Sequence, residues 1–175
     1  MAFALWLTGL PASGKSSVTS ALVARLGRGQ LPVEVLESDE VRRLLTPAPT
    51  YALAERDLFY RALAWCGARL VSHGVNVIFD ATANRRAYRD LARSLIPVFV
   101  EVWVNCPLAV CQARDTKGTY RKGLDRASTT VPGLQDPYEP PESPELRIDS
   151  SASSPEQAAA LIMDLLHTRG LVRGS

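Results

Sequence analysis

A three-layer α/β fold, with helices on both faces of a mostly parallel five-stranded sheet, is predicted by two features of this sequence. Short apolar runs at 3–8, 33–37, 75–80, 98–104 and, more weakly, 145–149 alternate with stretches of helical spacing. Strands alternating with helices build a parallel sheet covered on both sides. The second feature is local. The first apolar run leads at once into Gly9-Leu-Pro-Ala-Ser-Gly-Lys-Ser16. That is the G-x4-G-K-[ST] spacing of a P-loop, whose backbone N–H groups wrap a polyphosphate. A strand before it and a helix after it place the phosphates at a helix N-terminus. The fold class is therefore that of the P-loop NTPases.

Each element has its own justification. Phe3-Ala-Leu-Trp-Leu-Thr8 is apolar throughout, as a strand buried on both faces must be. From Ser17 to Leu26, Val18, Leu22 and Leu26 repeat at helical spacing. Val33–Glu37 forms the second strand, and a short helix follows Asp39. The clearest helix runs from about Ala54 to Ser72, with Phe59, Leu63, Cys66 and Leu70 as its stripe, and His73-Gly74 ends it. Phe59 and Trp65 are expected in the core. The run 75–80 is a strand, Arg86–Leu95 a helix, and 98–104 the fourth strand. Pro107 is expected at the first helical position of a helix reaching about Asp115. Ser154-Pro-Glu-Gln157 reads as a capping box that opens a last helix to about His167. Residues 117–144 break the pattern: few apolar residues, several basic ones, and prolines at 132, 137, 140, 141 and 144. An irregular segment of that length inside a compact domain is expected to be a lid. Residues 1–170 read as one P-loop domain and 171–175 as a tail.

Bulk properties exclude several classes. The chain has 175 residues, 46% hydrophobic and 22% charged, ordinary values for a globular protein. A net charge of +2 gives no argument for a nucleic-acid or membrane partner. No apolar run approaches the roughly 18 residues needed to cross a bilayer. The first strand begins at the N-terminus, so no signal peptide is expected. Cys66, Cys106 and Cys111 have no metal-ligand spacing and read as reduced thiols of a cytoplasmic protein.

In the loop, Lys15 can reach the β- and γ-phosphates of a nucleotide, and the Ser16 hydroxyl can hold Mg²⁺. No guanine-reading Asn-Lys-x-Asp segment is present, and the chain is too short for AAA-type or helicase modules. A small-molecule kinase remains. Phosphoryl transfer needs positioning, charge neutralisation and a proton acceptor near the attacking hydroxyl. Asp39, just past the second strand, lies at the carboxyl edge of the sheet where open α/β folds bind ligands. It could at the same time cap the following helix. Asp80, at the end of the third strand, is the rival carboxylate, placed to hold Mg²⁺ or to cap a turn. Arginines 42, 56, 85, 86 and 89 fall near strand ends or first helical turns, where an anionic acceptor would need some of them.

Taken together, these segments resemble the adenylylsulfate kinase (APS kinase) family, over about residues 3–168. The likeness is carried by Trp6-Leu-Thr-Gly-Leu10, Leu36-Glu-Ser-Asp-Glu-Val-Arg42, Glu55-Arg56, Pro107-Leu108 with Cys111, and Arg114-Asp-Thr-Lys-Gly-Thr-Tyr120. The most specific part is Gly133-Leu-Gln-Asp-Pro-Tyr-Glu139 followed by Pro144-Glu-Leu146. The resemblance implies transfer of the γ-phosphoryl group of MgATP to the 3′-hydroxyl of adenylyl sulfate. It implies that Gly9, Ser13, Gly14, Lys15, Ser16 and the adjoining Ser17 hold ATP and Mg²⁺. Asp39 would be the catalytic carboxylate, Arg42 and Arg56 would bind the anionic acceptor, Lys117 would close over it, and Arg114 would lie near the adenine of ATP. The departures are on the acceptor side. Phe59 stands where the family has Asn, Val131 where it has a stacking Phe, and Thr82-Ala-Asn-Arg-Arg86 where it has Ile-Ser-Pro-Tyr-Arg. Asn84 is placed with the acceptor residues on a likeness of 80–84 to polynucleotide-kinase-like enzymes. A different nucleotide-like acceptor, or a nucleotide-binding regulator without transfer, therefore stays open, as does a homodimer.

Overall fold

The computed structural model describes residues 1–28, 31–125 and 130–172. Part of the expected lid (126–129) and of the expected tail (173–175) lies outside the described residues. In chain order the elements are β1 (Ala4–Thr8), α1 (Lys15–Arg28), β2 (Val33–Glu37), α2 (Ser38–Leu45), α3 (Leu53–Ser72) and β3 (Asn76–Asp80). They continue with α4 (Arg86–Leu95), β4 (Phe99–Asn105), α5 (Leu108–Ala113), α6 (Thr119–Leu124), β5 (Leu146–Asp149) and α7 (Pro155–Thr168). The sheet order is β2-β3-β1-β4-β5, and every pairing is parallel.

The register brings the carboxyl ends of the strands together. Leu7 and Glu37 both lie beside Asp80, and Thr8 lies beside Trp103. Every strand therefore delivers its last residue to one edge, where the chain turns into the P-loop.

β1 is buried along its whole length because both faces are covered. Phe3, Leu5 and Leu7 pack with Val18, Leu22 and Leu26 of α1 and with Ala158, Ile162 and Leu166 of α7. Ala4 and Trp6 face the other way, onto Phe59, Tyr60 and Leu63 of α3 and Tyr88 and Ala92 of α4. Each large side chain so buried contributes about 1.5–3 kcal/mol. The two clusters are the two interlayer cores.

The inward face of α3 is rotated from the predicted stripe. Phe59, Tyr60, Leu63, Ala64 and Gly67 face the sheet, while Cys66 is exposed and Trp65 is 59% exposed. Gly67 is the cause. A Cβ there would lie 2.1 Å from the Phe79 ring, so the helix seats its glycine on that ring. Cys66 and Trp65 are thereby turned outward. The capping box of α7 forms as predicted: Gln157 N–H donates to Ser154 Oγ (3.2 Å) and Ser154 N–H to Gln157 Oε1 (2.8 Å). Pro107 is the N-cap of α5 rather than its first helical residue.

The segment expected to be an irregular lid has structure of its own. It carries α6, and Tyr120 and Val131 join Cys106 and Cys111 in a small apolar cluster against Leu10 and Leu108. Among the described residues, no helix is long and apolar enough to cross a membrane.

Candidate active site

The P-loop leaves β1 at Gly9, where no side chain fits: a Cβ would lie 2.4 Å from the Val104 carbonyl oxygen. Further on, Ala12 (φ 58°) and Gly14 (φ 96°) take left-handed conformations that curl the backbone over the start of α1. The helix begins at Lys15, and its first bond is Val18 N–H to Gly14 O; the Ser13 amide turns back to the Leu10 carbonyl (3.2 Å), and the amides of Gly14 to Ser17 are left for a ligand. Lys15 Nζ donates to the carbonyls of Gly9 (3.0 Å) and Leu10 (2.8 Å). Burial pulls its pKa below the ordinary lysine value, with nearby Asp80 opposing the shift. The Ser13 hydroxyl is buried with no hydrogen-bond partner. An unmet hydroxyl inside a loop of free amides fits a phosphate group.

Two carboxylates stand beyond the loop. Asp80 ends β3, is 4% exposed, and accepts a hydrogen bond from Thr19 Oγ1 (3.3 Å). Ser16, exposed in the same cavity, is the hydroxyl that would share a cation with it. Asp39 is the second residue of α2, not its cap, because the helix starts at Ser38. Its side chain instead pairs with Lys117 Nζ at 2.7 Å, and Lys117 also approaches Glu37 (3.8 Å). The bond to Asp39 raises the Lys117 pKa above the ordinary lysine value.

These groups share one cavity of about 1380 Å³ that continues from the P-loop to a basic wall. There, Arg42 and Arg56 are 7% and 5% exposed. The Arg42 guanidinium lies 3.8 Å over the Phe59 ring and 5.1 Å from the Tyr51 ring, and it pairs with Glu55 (3.6 Å). Glu55 is itself fixed by the Thr50 hydroxyl (2.7 Å), the Thr50 amide (2.8 Å) and the Tyr51 amide (3.1 Å), which hold its carboxyl below the usual glutamate range. Arg56 pairs with Asp136 (2.6 Å) and donates to the Thr130 carbonyl. Both arginines keep a buried N–H without a hydrogen-bond partner: Nη1 of Arg42, which meets Glu55 only at ion-pair distance (3.6 Å), and Nε of Arg56. Such a group costs about 1–3 kcal/mol left unmet, more for a charged one. An anionic ligand in the cavity would satisfy it.

Most residues singled out from the sequence meet here. Gly14, Lys15, Ser16, Ser17, Asp39, Arg42, Arg56, Asp80, Asn84, Arg114, Lys117 and Val131 all line the cavity. Arg114 Nη1 donates to the Ser150 carbonyl (3.0 Å), and Ser150 Oγ donates to the Ser13 carbonyl (2.7 Å), tying that wall to the P-loop. Phe59 is not on the wall. It is 1% exposed and lies behind Arg42. Val131 is 3% exposed, with most of its side chain in the cluster beneath the P-loop. Arg86 and Arg89 do not face the cavity; Arg86 pairs with Glu139 and Glu142, and Arg89 is buried against Glu101. Tyr51 and Asp136 were not singled out. Asp136 sits in the most specific lid motif, and Tyr51 four residues before Glu55, the only sequence cues to either.

The family model described as adenylylsulphate kinase matches residues 1–149. An adenylyl-sulfate kinase of Gloeothece citriformis is 37% identical over 169 residues, 97% of this chain and 96% of that protein. The APS kinase of Mycobacterium tuberculosis, solved in complex with AMPPNP and APS, superposes with a TM-score of 0.89 at 32% identity, covering 95% of this chain and 98% of that one. A hexameric APS kinase from Thiobacillus denitrificans matches with a TM-score of 0.74 at 29% identity, over 99% of this chain but 30% of that longer one. This chain therefore belongs to the adenylylsulphate kinase family, ATP-dependent phosphotransferases with an alcohol acceptor.

Proposed function

We propose that this protein phosphorylates the 3′-hydroxyl of adenylyl sulfate with MgATP, one kinase domain doing so in the cytoplasm. The observation that supports this reading is the pair of buried guanidiniums of Arg42 and Arg56 on the wall of the cavity that starts at the P-loop, each with an N–H that lacks a hydrogen-bond partner. An acceptor with an anionic group satisfies both.

The roles follow from position. Amides of the loop from Gly9 to Gly14, with Ser13, Lys15, Ser16 and Ser17, bind the ATP phosphates, and Arg114 flanks the adenine. Lys15 leaves its two carbonyl partners and offsets charge on the transferring group. Ser16 and Asp80 would hold Mg²⁺, which when bound neutralises phosphate charge. Asp39 accepts the proton of the attacking hydroxyl. Lys117, already paired with Asp39 in this structure, turns from it toward the acceptor. Arg42, Arg56 and Asn84 orient the acceptor, Phe59 supports Arg42 from behind, and Val131 closes the lid edge. A homodimer belongs to the same reading. Leu58 and Trp65, two turns apart on α3, are 64% and 59% exposed, which supports self-association.

The test is a coupled ADP-release assay with adenylyl sulfate beside other nucleotides, sugars and 5′-hydroxyl oligonucleotides. Adenylyl sulfate should give the highest kcat/KM of the set. A sugar or oligonucleotide that exceeds it would overturn the assignment.

A further inference from the structure

We propose that Arg89, remote from the transferring phosphoryl, is the positioning residue of the acceptor half of the site; this rests on the reading that the Arg42–Arg56 wall receives the acceptor. Arg89 is 1% exposed on α4 and lies between two segments that have no direct sequence relation. Its Nε donates to Glu101 Oε1 at 2.7 Å, which neutralises the buried charge. Its Nη1 donates to the Ala83 carbonyl and its Nη2 to the Glu139 carbonyl (2.7 Å). One planar guanidinium thus bridges the 81–84 turn and the root of the lid.

What it bridges is strained and leads into the cavity. Ala83 has φ 43°, a left-handed conformation that alanine adopts only when its surroundings over-determine it. The turn is gripped at every residue. Trp6 Nε1 donates to the Ala81 carbonyl (3.1 Å), Thr8 Oγ1 to the Thr82 carbonyl (2.7 Å), and Ala83 N–H to Tyr60 Oη (3.0 Å). Arg89 takes the remaining Ala83 carbonyl. The next residue, Asn84, has its carbonyl on the Glu139 amide (2.7 Å) and its Nδ2 on the Pro137 carbonyl (3.0 Å) and Asp136 Oδ2 (3.4 Å). Asp136 in turn holds Arg56. A connected path therefore runs from Arg89 through Ala83 and Glu139 to Asn84, Asp136 and Arg56. No described link of it touches the P-loop backbone. Loosening Arg89 should displace the acceptor groups and spare ATP.

Arg89→Lys separates positioning from stability. The ammonium keeps its charge beside Glu101 but has no fixed fork with which to span both carbonyls. KM for adenylyl sulfate should rise about tenfold, the loss expected for charge-assisted bonds, while KM for ATP stays within about twofold. Rates are normalised to the fraction of protein that binds a fluorescent ATP analogue. Glu101→Gln is the control: it weakens the buried pair but leaves the bridge, so the melting temperature falls and acceptor KM does not change. Thr8→Val removes the bonds to Thr82 and Tyr138 without altering shape, and should raise acceptor KM about fivefold, the effect of two modest hydrogen bonds; it carries the test if Arg89→Lys does not fold. Equal shifts in both KM values, an unchanged acceptor KM, or the same acceptor defect in Glu101→Gln would each overturn the proposal. Hydrogen exchange decides it independently of the acceptor. In Arg89→Lys the Glu139 amide should exchange faster while residues 9–17 are unchanged; uniform loosening, or none, contradicts it. A wild-type enzyme inert toward adenylyl sulfate would refute the proposed function alone and leave this exchange comparison valid.

Discussion

At one end of the cavity lies the P-loop, eight consecutive residues from Gly9 to Ser16 whose amides, hydroxyls and ammonium are proposed above to hold a phosphate chain. Beyond it, Arg42, Arg56, Asn84 and Lys117 come from separate elements and are held by pairs with other segments, Arg56 to Asp136 across 80 residues. The first site is made by backbone geometry on a strand–loop–helix unit. The second exists only once α2, α3, the 81–84 turn and the lid are docked together. The two ends should therefore fail separately, and each variant below is a way to test that separation.

Lys15→Ala should have the largest effect, a fall in kcat on the order of 10³, as for loss of a charge-stabilising donor at the reacting group. Because burial disfavours the charged lysine, the melting temperature should not drop with it. A variant retaining more than about a tenth of the wild-type rate would contradict a P-loop kinase mechanism.

Asp39→Asn should lower kcat by about 10² and leave ATP affinity intact, since the amide keeps the shape but cannot take the proton. Its exposed pairing with Lys117 contributes little stability, so the fold should not change. If Asp80→Asn abolishes transfer and Asp39→Asn does not, the base lies at the other strand end.

On the acceptor side, Arg56→Lys should raise acceptor KM about tenfold with ATP KM unchanged, because a point charge cannot serve both Asp136 and a ligand as the fork does. Phe59→Leu should raise it about fivefold, the equivalent of roughly 1 kcal/mol for the lost ring beneath Arg42. A parallel rise in ATP KM for either variant would break the comparison.

The smallest effect is in the pH profile. Lys15 must be protonated to meet the phosphates, and burial lowers its pKa in the free enzyme. The alkaline limb of kcat/KM for ATP should therefore fall below the ordinary lysine value of 10.5. Bound phosphates favour the ammonium, so the limb of kcat should lie higher. Coincident limbs would show that Lys15 is not the group titrating.

The same contrast explains what could be read from the sequence. The P-loop, the five strands and the capping box of α7 are local patterns, and each appears within a few residues of where its spacing puts it. Trp65 and Cys66 were misplaced because a tertiary contact, Gly67 on Phe79, sets the rotation of α3. The cap that Asp39 could also have formed is absent because the helix begins at Ser38, two residues before the start that a cap at Asp39 requires. Arg89 stood only as one of five arginines from which an anionic acceptor could draw, because a buried ion pair with Glu101 leaves no local trace. Asp136 stood in a motif, but nothing in the sequence pairs it with Arg56.

Recognition of the acceptor by arginines, without an aromatic platform at Val131, is the central claim. Base stacking on a ring is worth roughly 1–3 kcal/mol, so its absence should appear as a raised KM and not as a change of chemistry. Steady-state kinetics with adenylyl sulfate at saturating MgATP, with the product identified by phosphorus NMR, tests this most directly. The account predicts one 3′-phosphorylated product per ADP released, with a KM for adenylyl sulfate above that for ATP. ADP release without a 3′-phosphorylated product, or no turnover at all, would contradict it.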